Sequence, residues 1–277
     1  MEAVAKNTNW QADLALDFAP RAGKTRLIAS QRRGPLTVQR AFYPEGNVNH
    51  TYLLHPPGGV VGGDELNINI NVQGGGQVLL TTPGATKFYR SAGPQALVKQ
   101  SLHIADGATL EWMPLESIFF PATNVAIKTE VHLMANAKFI GWEMNCLGRP
   151  ANGEGFAMGT INSDFACYRD GKIVLLDRFA TQGESMMASP VGMRGFSAQS
   201  MLVATVSDES LIRQVQTMLA GYAPKIWAGA SCVDGLLVVR VLAHQSQDML
   251  LLLVAVWRLL RPVIMERQAE PPRIWAT

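Results

Sequence analysis

Residues 52–93 read YLLHPPGGVVGGDELNININVQGGGQVLLTTPGATKFYRSAG and hold 9 of the 25 glycines in the chain. Inside the stretch, Leu66-Asn67-Ile68-Asn69-Ile70-Asn71-Val72 alternates strictly. A period of two sends apolar side chains to one face of a strand and asparagines to the other. Asp64 and Glu65 enter this strand directly from Gly62-Gly63. The end of the strand also repeats. Ile70-Asn-Val-Gln-Gly-Gly-Gly76, Leu102-His-Ile-Ala-Asp-Gly-Ala108 and Val131-His-Leu-Met-Ala-Asn-Ala137 superimpose without gaps. In each copy two apolar residues flank one outward residue, a small-residue turn follows, and a new strand begins. Such spacing suits stacked strand units of a β-solenoid, and equally a two-sheet sandwich with similar hairpins.

Working outward, strand-like segments dominate the first three quarters of the chain. They cover 36–38, 78–80, 125–133, 139–142 and 173–176, most of them bounded by Gly, Pro, Asn or Asp. Asp170-Gly171 predicts a hairpin between 165–168 and 173–176, because that dipeptide readily takes the positive φ of a tight turn. The last quarter changes character. Ser207-Asp208-Glu209 precedes Leu211, Ile212, Val215, Met218 and Leu219, which predicts a helix behind a Ser cap. Residues 235–242 read as a buried strand, and 248–260 as a second helix, apolar nearly all round and stopped by Arg261-Pro262. The expected architecture is therefore mainly β, a β-helix-like stack of strands with the sandwich as alternative. A β-rich part at 20–206 carries a two-helix α/β elaboration at 207–277 within one domain.

The 277 residues carry a net charge of +2 with scattered basic residues, which gives no electrostatic case for nucleic acid. Only 17% are charged, against about 25% in ordinary soluble domains. Either a large well-buried core accounts for this, or part of the surface is covered by partners, in which case the chain is expected to be poorly soluble alone. Cys146, Cys167 and Cys232 lie far apart without a CxxC pair, which excludes a disulfide framework or zinc ribbon and suits a reducing cytoplasm. No signal-peptide pattern opens the chain, and the apolar run 249–257 is far short of the ~20 residues that span a bilayer. No membrane contact is expected.

Phosphate-loop chemistry is excluded by context. The GGVVGGD turn leads into an alternating strand where a nucleotide fold needs a helix, and PGATK lacks Walker spacing. There is no G-x-S-x-G elbow. His50, His55, His103, His132 and His244 never fall at HxH or HxxxH spacing. His103 and His132 share the repeat position of Asn71, which predicts a solvated or ladder-forming stripe. His50 and His55 bracket residues 51–54, and both turn packing and weak metal contact stay open for them. The acids Asp64, Glu65, Glu143, Glu154 and Asp177 sit at strand ends or turns. Buried and unpaired, such groups cost several kcal/mol, so those that converge must line water or hold cations. The other option is that each pairs with Arg149, Arg178 or another base to fix a turn.

Six segments in one order carry a resemblance: GPLTVQRAFYPEG at 34–46, HPPGGVVGGD at 55–64, TTPGATKFYRS at 81–91, LEWMPLESIFF at 110–120, GWE with GRPANGE at 141–154, and the terminal PRIWAT. Together they make the chain resemble the urease accessory protein family UreD, also called UreH. The resemblance favours the β-helix-like stack. It implies a non-enzymatic urease maturation chaperone and scaffold with no tightly bound cofactor. It further implies docking on apo-urease, binding of UreF and recruitment of the UreG GTPase through UreF. A transient passage for Ni²⁺ is implied as well, and Asp64, Glu65, Thr86, Glu143 and Asp177 are the positions expected to line it. The family commonly has a cysteine before the histidine matched by His50; Asn49 stands there in this chain, so no thiolate is offered. The rival function is a β-rich hydrolase or small-molecule binder using the HPPGG turn.

Overall fold

The structure, a computed structural model, describes residues 10–276. Residues 1–9, on which part of the leader reading falls, and Thr277 lie outside the described residues. Strands β1 (Gln11–Arg21) and β2 (Lys24–Arg33) form an opening hairpin, followed by β3 (Thr37–Val38) and β4 (Asn49–Leu54). The chain then winds. One turn comprises β5 (Glu65–Val72), β6 (Gln77–Thr81) and β7 (Thr86–Phe88); the next comprises β8 (Ala96–Ile104), β9 (Thr109–Met113) and β10 (Ser117–Phe119). In the third, β11 (Thr123–Leu133) is followed by β12 (Lys138–Leu147), which runs across two sides.

Successive turns stack in parallel. One wall orders β13 (Gly159–Arg169), β11, β8, β5 and β1 side by side, all parallel, with β14 (Lys172–Gln182) and β2 antiparallel at its edges. The opposite wall stacks β4, β6, β9 and β12 in parallel. The short β7 and β10 pair with each other, and β10 with the end of β12, to close a third side. This is a β-solenoid of about four turns rather than a sandwich.

The internal repeat is the stacking register itself. Ile70 pairs with Leu102 and Leu102 with Val131, while Gln77, Thr109 and Lys138 align across the opposite wall. The outward residues of that rung stack as predicted. The rings of His103 and His132 lie 4.5 Å apart at 6°, and Tyr168 continues the ladder 4.8 Å from His132 at 7°. Those separations are the strand spacing of a parallel sheet.

The last strands, β15 (Ala198–Ala204), β16 (Trp227–Val233) and β17 (Leu236–Ala243), extend the second wall antiparallel beyond β12. Against that wall pack α2 (Glu209–Ala220) and α3 (Ser246–Ile264); the short α1 (Ser185–Ala188) precedes β15. One apolar core fills the solenoid, and a second lies between wall and helices around Trp142, Leu202, Val239 and Trp257. Because β12 alternates, Phe139 and Leu147 enter the first core while Ile140, Trp142 and Met144 enter the second.

Four expectations need correction. Glu143 and Asp177 lie inside β12 and β14 rather than at strand ends, because both strands run on past the apolar segments read in the sequence. The β region starts at residue 11, not 20, because β1 extends the parallel wall beside β5. The cap of α2 is Asp208, whose Oδ1 accepts from Leu211 N at 2.7 Å, rather than Ser207. Helix α3 does not stop at Arg261-Pro262 but continues to Ile264. A proline removes one helical donor, yet Arg261 and Ile264 on either side of it are buried and hold the extra turn in place. The Asp170-Gly171 hairpin forms as expected, with φ of 49° and 77°.

Candidate functional site

A cavity of about 320 Å³ lies inside the solenoid. Its outer end is formed by the two glycine-rich turns, where Pro56, Gly58, Pro83 and Gly84 are exposed. Its wall also carries Thr86, Ser117 and Asn145, which stand in register on adjacent strands, and Gln100, Trp112, Glu143 and Ser163. Gly59 must be glycine here, since a Cβ would lie 2.8 Å from the Lys87 carbonyl oxygen and run into the Tyr89 ring.

Glu143 projects inward because it shares the phase of Phe139 and Leu147 on β12. Protein encloses it, and the surface it retains belongs to the cavity. The Thr129 hydroxyl donates to Glu143 Oε1 at 2.5 Å. Burial raises the Glu143 pKa and the Asp177 charge adds to the rise, while hydrogen bonds from Thr129 and Ser163 oppose it. The charged form of this carboxyl is therefore disfavoured relative to an exposed one.

The other expected positions separate. Thr86 lines the cavity with Glu143. Asp177, on edge strand β14, pairs with Arg240 of β17 and links the two walls at the far end of the solenoid. Asp64 is fully buried, but its Oδ1 accepts from Trp10 N and its Oδ2 from Val61 N, both at 2.9 Å, so it pins the strand entry. Glu65 is exposed, one residue out of phase with the inward Leu66. Glu154 takes two hydrogen bonds from Arg149 and fixes its own turn, whereas Arg178 pairs with Asp164. His50 is buried with Nε2 2.7 Å from Glu45. Among the described residues, no three His, Cys, Asp or Glu side chains converge as a metal cluster.

Sequence reading missed Gln100, Thr129, Asn145 and Ser163. Their signal is visible in retrospect as polar residues in the apolar phase of a strand: Thr129 between Ile127 and Val131, Ser163 between Ile161 and Phe165. All three of Thr129, Asn145 and Ser163 are buried. Nucleophilic chemistry gains nothing from the two buried thiols: burial pushes Cys146 up to about 11 and Cys167 up to about 12, which leaves both protonated. No helix among the described residues is long and apolar enough to cross a membrane.

Comparison with known proteins meets this geometry from the other side. The family model for the UreD urease accessory protein matches residues 11–276. Urease accessory protein UreD of Alcanivorax borkumensis is 43% identical over 280 residues, covering 100% of this chain and 95% of the relative. The Escherichia coli protein of that name is 42% identical over 274 residues, with 98% of each chain covered. The Klebsiella pneumoniae one is 43% identical over 268 residues, covering 97% and 96%. With a matching profile and relatives aligned from end to end, the chain belongs to the UreD family of urease accessory proteins.

Proposed function

We propose that this chain acts in urease maturation as a non-enzymatic cytoplasmic scaffold that gives Ni²⁺ a transient route through the solenoid. In this reading it docks on apo-urease and binds UreF, and UreF brings the UreG GTPase. Nickel is cargo here, not a resident cofactor. The observation that carries the reading is the interior cavity, where an enclosed carboxyl and several hydroxyl and amide groups, with His55 and Lys87, interrupt a largely apolar wall.

The chemistry of those groups suits transit. Oxygen donors hold divalent nickel less tightly than imidazole or thiolate, so a row of them exchanges its cation readily. Burial disfavours the charged form of Glu143, so a cation beside it would be favourable to its ionisation. Water can share the shell, since a cavity of about 320 Å³ has room for it.

The test is a triple variant, Thr86→Val, Glu143→Ala and Asn145→Ala, expressed with urease and its accessory proteins. The expected result is urease of lowered nickel content while a pull-down still recovers the complete accessory complex. Urease with its full nickel complement would refute the route. Loss of the complex would show that these residues serve assembly instead.

A further inference from the structure

Two polar atoms in the cavity wall are buried without a hydrogen-bond partner, His55 Nε2 and Trp112 Nε1. Trp112 is only 3% exposed, and its indole donor meets no acceptor among the described residues. The imidazole differs, because a ring nitrogen can also carry a lone pair for a metal.

Each remaining histidine whose surroundings are defined is engaged elsewhere. His50 Nε2 is on Glu45, His103 and His132 stack on the outer face of the solenoid, and His244 lies against Phe196. His55 sits in the HPPGG turn at the outer end of the cavity. That turn is closed by a hydrogen bond from Gly58 N to the His55 carbonyl at 3.3 Å. Burial lowers the His55 pKa, with the charge of Asp64 opposing. Apart from the Trp112 indole and the Lys87 amine, the other polar side chains of the cavity wall offer oxygen or an amide.

We propose that His55 is the one nitrogen ligand of the cavity, meeting a borderline divalent transition-metal ion at the outer end and favouring it over Mg²⁺. The proposal rests on the transit reading above and sharpens it. Imidazole binds divalent ions of the nickel and zinc type far better than Mg²⁺, whereas oxygen groups alone discriminate little. A single imidazole followed by oxygen donors would select at the entrance and release further in. Asp64, although tied to the backbone, adds negative potential beside the ring.

Equilibrium dialysis of the full chain against Ni²⁺ and, separately, Mg²⁺ tests this with wild type, His55→Gln and Glu143→Gln. His55→Gln should weaken Ni²⁺ binding by about tenfold or more, the least expected from loss of a directly bound ligand, and leave Mg²⁺ binding unchanged. X-ray absorption of the nickel-loaded wild type should show imidazole scattering that the variant lacks. Unchanged Ni²⁺ binding in His55→Gln, with weakened binding in Glu143→Gln, would overturn the His55 assignment and leave the transit reading standing. Unchanged binding in both variants would overturn both. Should His55→Gln fail to fold, nickel-soaked wild-type crystals decide. An anomalous peak about 2.1 Å from Nε2 supports the proposal, and its absence refutes it.

Discussion

Arg261→Ala should unlatch the C-terminal helix from the first turns of the solenoid. Arg261 is completely buried on α3 and carries the charge that neutralises two carboxylates. Its Nε and Nη2 reach Glu111 at 2.9 and 3.0 Å, while Nη1 and Nη2 reach Glu45 at 2.6 and 2.9 Å. Trp257 donates to Glu111 at 2.7 Å, and Arg261 also donates to the Gln268 carbonyl. Burial works to raise the Glu45 pKa, but hydrogen bonds from His50 and Arg261 outweigh it and lower the value from 4.5 to about 2. A fall of that size corresponds to about 3 kcal/mol of pH-linked stability. Removing Arg261 leaves buried Glu111 without a base and Glu45 with only His50, and breaking a buried ion pair typically costs about 3–5 kcal/mol. At about 2–4 °C per kcal/mol for a chain of this size, Tm should drop by on the order of 10 °C near neutral pH.

The sign with pH follows from the two carboxyls. In the wild type the folded pKa of Glu45 is depressed, so its contribution is complete above 4.5 and is lost as pH falls toward 2. In the variant the acids that lose Arg261 pay their penalty only when ionised, and protonation relieves it. The gap between the two proteins should therefore narrow as pH falls below 4.5. Urea unfolding followed by circular dichroism at pH 7 and pH 4 measures it. A loss under about 1 kcal/mol at pH 7, or the same gap at both pH values, would refute the reasoning.

Glu143→Gln should stabilise the protein at neutral pH and leave it unchanged below pH 4.5, since a carboxyl with a raised folded pKa loses stability as pH rises; Tm against pH reads this directly. Gly62→Val should cost about 1–3 kcal/mol, because a Cβ there lies 2.6 Å from the Pro94 carbonyl and against the Ser91 side chain. Gly63→Val should cost a similar ~1–3 kcal/mol through backbone strain at a φ of 91°; thermal melts of both variants check the pair. The purified protein should release no phosphate from GTP or ATP, as its glycine turns lead into strands. Turnover that survives Lys87→Ala would contradict the scaffold reading.

The alternation at 66–72 and the three copies beginning at 70, 102 and 131 determined the strands, their inward faces and even the register, because a period of two and a repeated turn are local properties of the chain. The Asp-Gly hairpin at 170–171 was equally local. Asp234-Gly235, with φ of 45° and 76°, makes the same turn between β16 and β17 and carried an unread signal for β16. Parallel stacking was not local. Solenoid and sandwich share one hydrophobic pattern, and only the pairing of whole turns separates them. The acids show the same division. Sequence placed Asp64, Glu65, Glu143 and Asp177 alike at strand ends, but depth and partners come from elements far apart in the chain. Trp10 engages Asp64, Arg240 engages Asp177, and only Glu143 turns into the cavity. A carboxylate's role is set by the dielectric and donors around it, and those are properties of tertiary structure.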